Sequence, residues 1–271
     1  RFGSDGDKGS NRDELADVAD WYVAAICHNG QISHKYVGGW VRGVYMVVVK
    51  VARPNALDER FHSAWGRRDR GRVVELFRGP PVLEVLDDDV PKRSPSWKRA
   101  SSLFLFTHAF DDTSAVCSGD TGRPIPAYLV PLSDEQREHL WFWTQRYRKY
   151  DDVWFDSHAL ETPAYRQLVD PHSELSQEGR EHCREIEKAT GKPTYYYLHR
   201  YYGRRSGEES RVCPSCGQPW RDQTKSLRKT ASFHRFPFRC HPCRLVGQVT
   251  NNCDDARRAR LGEFKPSAKR D

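Results

Sequence analysis

Residues 211–220 read RVCPSCGQPW and residues 240–247 read CHPCRLVG. Each stretch holds one Cys-x-x-Cys pair, and 23 residues separate Cys216 from Cys240. A Cys-x-x-Cys turn aims two sulfurs at one point, and two such turns supply four thiolates at tetrahedral positions. Pro214 and Gly217 suit the first turn, because glycine tolerates the positive φ that frees amides to face sulfur. Cys213, Cys216, Cys240 and Cys243 are therefore the expected ligands of one structural Zn2+ ion. Four thiolates close the coordination shell and leave no position for a reacting water, so the expected site is structural and not catalytic. Iron is the rival ion, since two such knuckles also suit it, and Arg244 stands where a second glycine would. A redox pair would not need a second pair 23 residues later. His234, His241 and Cys253 are the neighbouring substitutes, with His241 expected to point outward.

The other cysteines, Cys27, Cys117, Cys183 and Cys253, stand alone. With polar opening residues that do not resemble a secretory signal, this spacing reads as metal binding in a reducing cytoplasm rather than as a disulfide framework. No apolar run approaches the ~20 residues needed to span a bilayer.

Charge is distributed unevenly. The 271 residues carry 44 Lys+Arg against 37 Asp+Glu, a formal +7. Gly203–Asp271 holds 16 basic and 7 acidic residues, and the rest holds 28 and 30. The whole positive excess thus lies in the last quarter, which points to an anionic partner, nucleic acid being the commonest. Arg221, Lys225, Arg228, Lys229, Arg235, Arg239 and Arg244 lie among Phe233, Phe236 and Phe238. Cations for phosphates and rings for base stacking are what single-stranded nucleic acid requires. The expected contacts are those seven cations and Phe236. The opposing reading makes the rings the lobe's own core and the charges its solvated face. No base-reading motif is evident, so sequence specificity is not expected.

Working outward, residues 1–12 read as a disordered leader, 13–203 as an α+β domain, 204–254 as the zinc ribbon and 255–271 as a basic tail. Asn11 is a candidate cap for a helix whose apolar face is Leu15, Val18, Tyr22 and Ile26. Val44–Val51, Arg72–Phe77, Val82–Leu86 and Ser101–Phe110 read as strands, and Asn55–Trp65 as a short helix. Tyr128–Leu132 reads as a strand before the clearest helix start in the chain, Ser133 with Gln136 three residues on. Leu140, Trp143, Tyr147 and Tyr150 form that helix's inward stripe. A further helix runs to Thr190, capped by Ser173 or Ser176 and stopped by Gly191. Tyr195–Tyr202 reads as a strand. The elements show neither a regular βα period nor a glycine-rich phosphate loop. The expected fold is α+β, a mixed or antiparallel sheet with packed helices plus a small C-terminal zinc ribbon.

Several stretches resemble a bacterial family of Zn-ribbon-containing proteins with a suggested nucleic-acid-binding role. They are NGQI (29–32), PIPAYLVP (124–131), the Trp143–Trp154 helix, GREHC (179–183), GKPTYYYLHRYYG (191–203), CPSCGQPW and CHPCRLV. The resemblance implies that the four knuckle cysteines are metal ligands. The polar opening residues depart from the strand with which that family is expected to begin.

Three functions compete. The first is a nucleic-acid-binding module with no catalytic activity of its own. The second is a protein-interaction or adaptor subunit stabilised by zinc, for which an exposed Tyr195–Tyr202 face would serve. The third is a metal-dependent hydrolase using His108, Asp111 and Asp112, with Cys117 as a further candidate nucleophile. None of these last residues has a spacing that chemistry demands.

Overall fold

A computed structural model describes residues 2–3, 12–87, 94–222 and 234–266. The chain divides into two compact units. The first comprises residues 1–94, 112–114 and 126–141, and the second residues 95–111, 115–125 and 142–271.

In the first unit, β1 (Phe2–Gly3), β2 (Val37–Val41) and β3 (Val44–Val48) form an antiparallel sheet in the order β1-β3-β2. Phe2 pairs with Tyr45 and is buried, so part of the expected disordered leader is a strand. β2 and β3 are joined by Arg42 and Gly43, at φ 49° and 82°. Two successive positive φ values make the tight turn whose twist matches paired strands. Helix α1 (Arg12–His28) lays Val18, Tyr22 and Ile26 into this unit's core, as its periodicity predicts. Its candidate cap, Asn11, lies outside the described residues.

Helix α2 (Ala64–Leu76) replaces the strand expected over Arg72–Phe77. The Ser63 hydroxyl caps it by accepting from the Gly66 amide at 3.1 Å. Val73 and Phe77 pack into the core with α1, so burial overrides the β preference of the Val73-Val74 pair. Asn55–Trp65 holds only a single turn, Glu59–Phe61, before α2 begins. Val82–Leu86 forms no strand, and Tyr128–Leu132 is a short turn of helix at Ala127–Leu129.

Helix α3 (Asp134–Asp156) starts where its signal predicts. The Gln136 amide donates to the Ser133 hydroxyl at 3.1 Å, and the Gln136 side chain accepts from the Ser133 amide at 3.0 Å. Ser133→Ala should lower stability by about 1 kcal/mol, read from urea unfolding midpoints at constant slope.

The second unit holds β4 (Leu103–Leu105), β5 (Val116–Ser118), α4 (Glu161–Val169), α5 (Glu174–Thr190), β6 (Thr194–Tyr197), β7 (Phe238–Cys240) and β8 (Leu245–Gly247). Its five strands make one mixed sheet in the order β5-β4-β6-β8-β7. The central β4–β6 and β6–β8 pairs are parallel, and both edge pairs are antiparallel. The strands expected over Ser101–Phe110 and Tyr195–Tyr202 are present but shorter. Ser173 caps α5, and Gly191 closes it at φ 68°. Trp143 is fully buried and donates from Nε1 to the Leu175 carbonyl at 3.0 Å. Gly179 of α5 admits that contact, since a Cβ there would lie 2.4 Å from the Tyr196 ring and 2.7 Å from Trp143.

The sequence reading separates a ribbon at residue 204 from the domain before it. In the folded chain the two are continuous. β8 pairs with β6, Tyr196 opposite Leu245 and Tyr197 opposite Val246, so the knuckle hairpin completes the sheet. Phe236 packs edge-on against Phe104 at 4.9 Å and near Tyr197 at 5.8 Å.

Candidate metal centre

The first knuckle is a tight hairpin. The Cys213 amide donates to the Gln218 carbonyl and the Gly217 amide to the Cys213 carbonyl, both at 2.8 Å. Gly217 has φ 72°, as its place in the motif predicts. The second knuckle runs from the end of β7, where Cys240 sits, to the start of β8. Arg244 occupies the position equivalent to Gly217 and takes the same left-handed conformation, φ 52°. A side chain there carries a conformational cost that glycine does not.

The sulfurs of Cys213, Cys216, Cys240 and Cys243 all lie within 4.8 Å of one another. Cys216 Sγ and Cys240 Sγ are 3.7 Å apart. A tetrahedron of sulfurs about 2.3 Å from a central ion has edges of about 3.8 Å, so the donor set fits one tetrahedral metal ion. Backbone amides support it: Ser215 and Cys216 donate to the Cys213 sulfur, and Cys243 donates to that of Cys240. Burial pushes both thiols up, against ionisation, so four converging thiolates would need a cation among them to coexist. Among the described residues no other group of three or more Cys, His, Asp or Glu is placed to hold a metal.

None of the neighbouring substitutes, His234, His241 and Cys253, joins the four-sulfur cluster. His241 is exposed, and its Nδ1 meets the Tyr195 hydroxyl at 2.7 Å. Cys27, Cys117 and Cys183 are buried apart from the cluster. Burial raises the Cys117 thiol, the reverse of what a nucleophile requires. Asp112 pairs with Lys50 at 3.0 Å, and His108 sits among the rings of Phe106 and Phe110.

The eight candidate nucleic-acid contacts separate into groups. Lys225, Arg228 and Lys229 lie outside the described residues, as does Phe233. Phe236 is 2 % exposed and offers no face to a base, which corrects its reading as a stacking platform. Phe238 and Trp220 are likewise buried, so the described rings near the centre form its core. Arg221 pairs with Glu209 at 3.2 Å and lies over Phe238. Arg239 lies over the Tyr195 ring, and Arg235 is exposed. Arg244 grips Glu187 with two bonds, Nε to Oε2 at 2.9 Å and Nη2 to Oε1 at 2.8 Å.

Sequence reasoning missed a groove beside the second knuckle, lined by Arg184, Glu187, Lys188, His241, Pro242 and Arg244. The α5 residues come from a helix with no local signal of binding. Tyr195, Tyr196 and Tyr197 are buried, so the exposed tyrosine face expected for protein docking is absent from β6.

Residues 97–199 match a family described as Domain of unknown function (DUF2310), and residues 203–253 match Domain of unknown function (DUF8594). Two Haemophilus influenzae sequences, each described as an uncharacterized protein, are 34% identical to the chain over 168 residues, 61% of its length. The match spans 77% of one relative and 60% of the other. The chain belongs to the same family as these proteins. No solved structure matches it. The two matched segments meet near residue 200, yet β6 from one and β8 from the other pair within a single sheet. Among the described residues, no helix is long and apolar enough to cross a membrane.

Proposed function

We propose that the four-cysteine centre holds one structural zinc ion, and that the lobe it shapes binds nucleic acid through the phosphate backbone without reading sequence. The observation that carries this reading is the charge distribution: 16 basic against 7 acidic residues in Gly203–Asp271, with no positive excess elsewhere. The groove beside the second knuckle adds Arg184 and exposed Lys188 to that set. Zinc is the ion of choice because four thiolates with amide support suit a redox-inert tetrahedral cation in a reducing cytoplasm. Buried Phe236 and Phe238 remove base stacking on those rings from the reading, so single and double strands should bind alike. The protein acts by binding and has no chemistry of its own.

Fluorescence anisotropy with a labelled 20-nucleotide strand and its duplex tests this. Both should bind at 50 mM salt within a few-fold of each other. Raising salt to 200 mM should weaken binding about a hundredfold, as roughly four phosphate contacts require. The pair Lys188→Glu with Arg235→Glu should weaken binding at least about tenfold while far-UV circular dichroism stays unchanged. Absence of binding at 50 mM salt, or binding indifferent to salt, would overturn the reading.

A further inference from the structure

The second knuckle departs from the first at the position after its last cysteine, and that departure has a partner in a distant helix. Arg244 stands at φ 52° where the first knuckle has Gly217 at φ 72°. Glycine would hold this backbone at lower cost. The arginine side chain instead makes a two-point bond to Glu187, near the end of α5 and 57 residues earlier in the chain. Its Nη1 donates back to the His241 carbonyl at 3.0 Å, closing the knuckle's turn. Its guanidinium lies 5.6 Å from the centre of the Tyr195 ring, whose hydroxyl contacts His241. The Arg244 carbonyl accepts from the Tyr196 amide at 2.8 Å, tying the same residue to β6. One residue therefore joins the knuckle to α5, to its own turn and to the sheet. The Arg244 fork also holds the Glu187 carboxyl below its ordinary range.

We infer that Glu187 and Arg244 form a latch that fixes the second knuckle in its metal-binding shape, so that α5 sets how tightly the centre retains its ion. Neither residue touches the metal; both are positioning residues. The inference rests on the zinc reading above. A planar two-point pair restricts rotation as a single point charge does not, which is why arginine and not lysine suits the position. Groups that orient metal ligands from behind typically change affinity 10–100-fold when removed.

The test is zinc affinity of the full chain by competition with a chromophoric chelator, alongside the zinc release rate and the absorption of the cobalt-loaded protein. Glu187→Gln, on the helix surface, should weaken zinc binding at least about tenfold, speed its release and broaden the cobalt–thiolate bands, while far-UV circular dichroism stays unchanged. Arg244→Gly is the decisive variant. If Arg244 merely occupies a left-handed position, glycine there leaves affinity equal or improves it, and the latch is wrong. The latch requires a loss similar to that of Glu187→Gln, with the double variant no worse than either single one. Arg244→Lys should lose affinity as well. Wild-type protein that binds no zinc would refute the zinc reading; wild type that binds zinc as tightly as Glu187→Gln would refute the latch alone.

Discussion

Cys240→Ser protein should be recovered without bound metal and should melt more than about 10 °C below the wild type. Isolated zinc modules draw about 10 kcal/mol or more of their folding free energy from the ion. In a free-standing ribbon that loss would remain local. Here Cys240 is the last residue of β7, β7 pairs with β8, and β8 pairs with β6 in the centre of the five-stranded sheet. Phe236, just before β7, fills space between Phe104 and Tyr197. On the zinc reading, losing the ion would therefore release two strands and a core ring. A deficit of several kcal/mol in a unit of this size lowers the midpoint by about 2–4 °C per kcal/mol. Elemental analysis should give one zinc per chain for wild type and none for the variant, and calorimetry should report the shift. Cys253→Ser, outside the cluster, should leave both readings unchanged. Full metal content in Cys240→Ser would disprove the assignment.

The second large effect is a loss of stability in mild acid. His199 follows β6, with its ring 4.8 Å from that of Trp154 and 6.0 Å from that of Tyr165. Its Nε2 is enclosed and has no hydrogen-bond partner among the described residues. Burial lowers its pKa to about 4. In the unfolded chain the imidazole takes up a proton near pH 6.5. Between these values the unfolded state binds the extra proton, so acidification favours unfolding. Stability is unaffected by this group above pH 6.5, falls by up to about 1.4 kcal/mol per pH unit below it, and levels off near pH 4. The total is about 3 kcal/mol. His199→Phe keeps an aromatic ring and removes the titration. Urea unfolding at pH 7, 6, 5 and 4.5 should show the variant gaining on wild type with each step down. Metal thiolates also protonate in acid, but they are common to both proteins and cancel in the difference. Parallel pH profiles would show that His199 is not held neutral.

How far these features could be read in advance depended on how local their causes are. The four-cysteine cluster was legible because a Cys-x-x-Cys turn carries its geometry within four residues. Helix α3 was legible through the reciprocal Ser133–Gln136 bonds, and α5 through Ser173 and the left-handed Gly191. Helix α2 was not, because Val73 and Val74 favour a strand until packing with α1 decides otherwise. The parallel β4–β6–β8 arrangement brings residues 103, 194 and 245 together, and no short-range pattern encodes such a crossover. Phe236 was read with the wrong orientation for the same reason. A phenylalanine among arginines looks like a stacking platform until the sheet that covers it is known. The Glu187–Arg244 pair spans 57 residues, and the only local hint was a missing glycine.

Strand β6 has one neighbour, β4, made before it and another, β8, made some 50 residues after it. While a ribosome is still producing the intervening segment, one flank of β6 stays open, and an uncovered strand flank is a site of mispairing between chains. That flank is sealed only when Cys240 and Cys243 have emerged and the hairpin bearing them has closed. On the zinc reading, metal supply during synthesis becomes a quality-control variable: in starved cells newly made chains should stall with β6 uncovered, occupying chaperones or clumping, while molecules completed earlier persist.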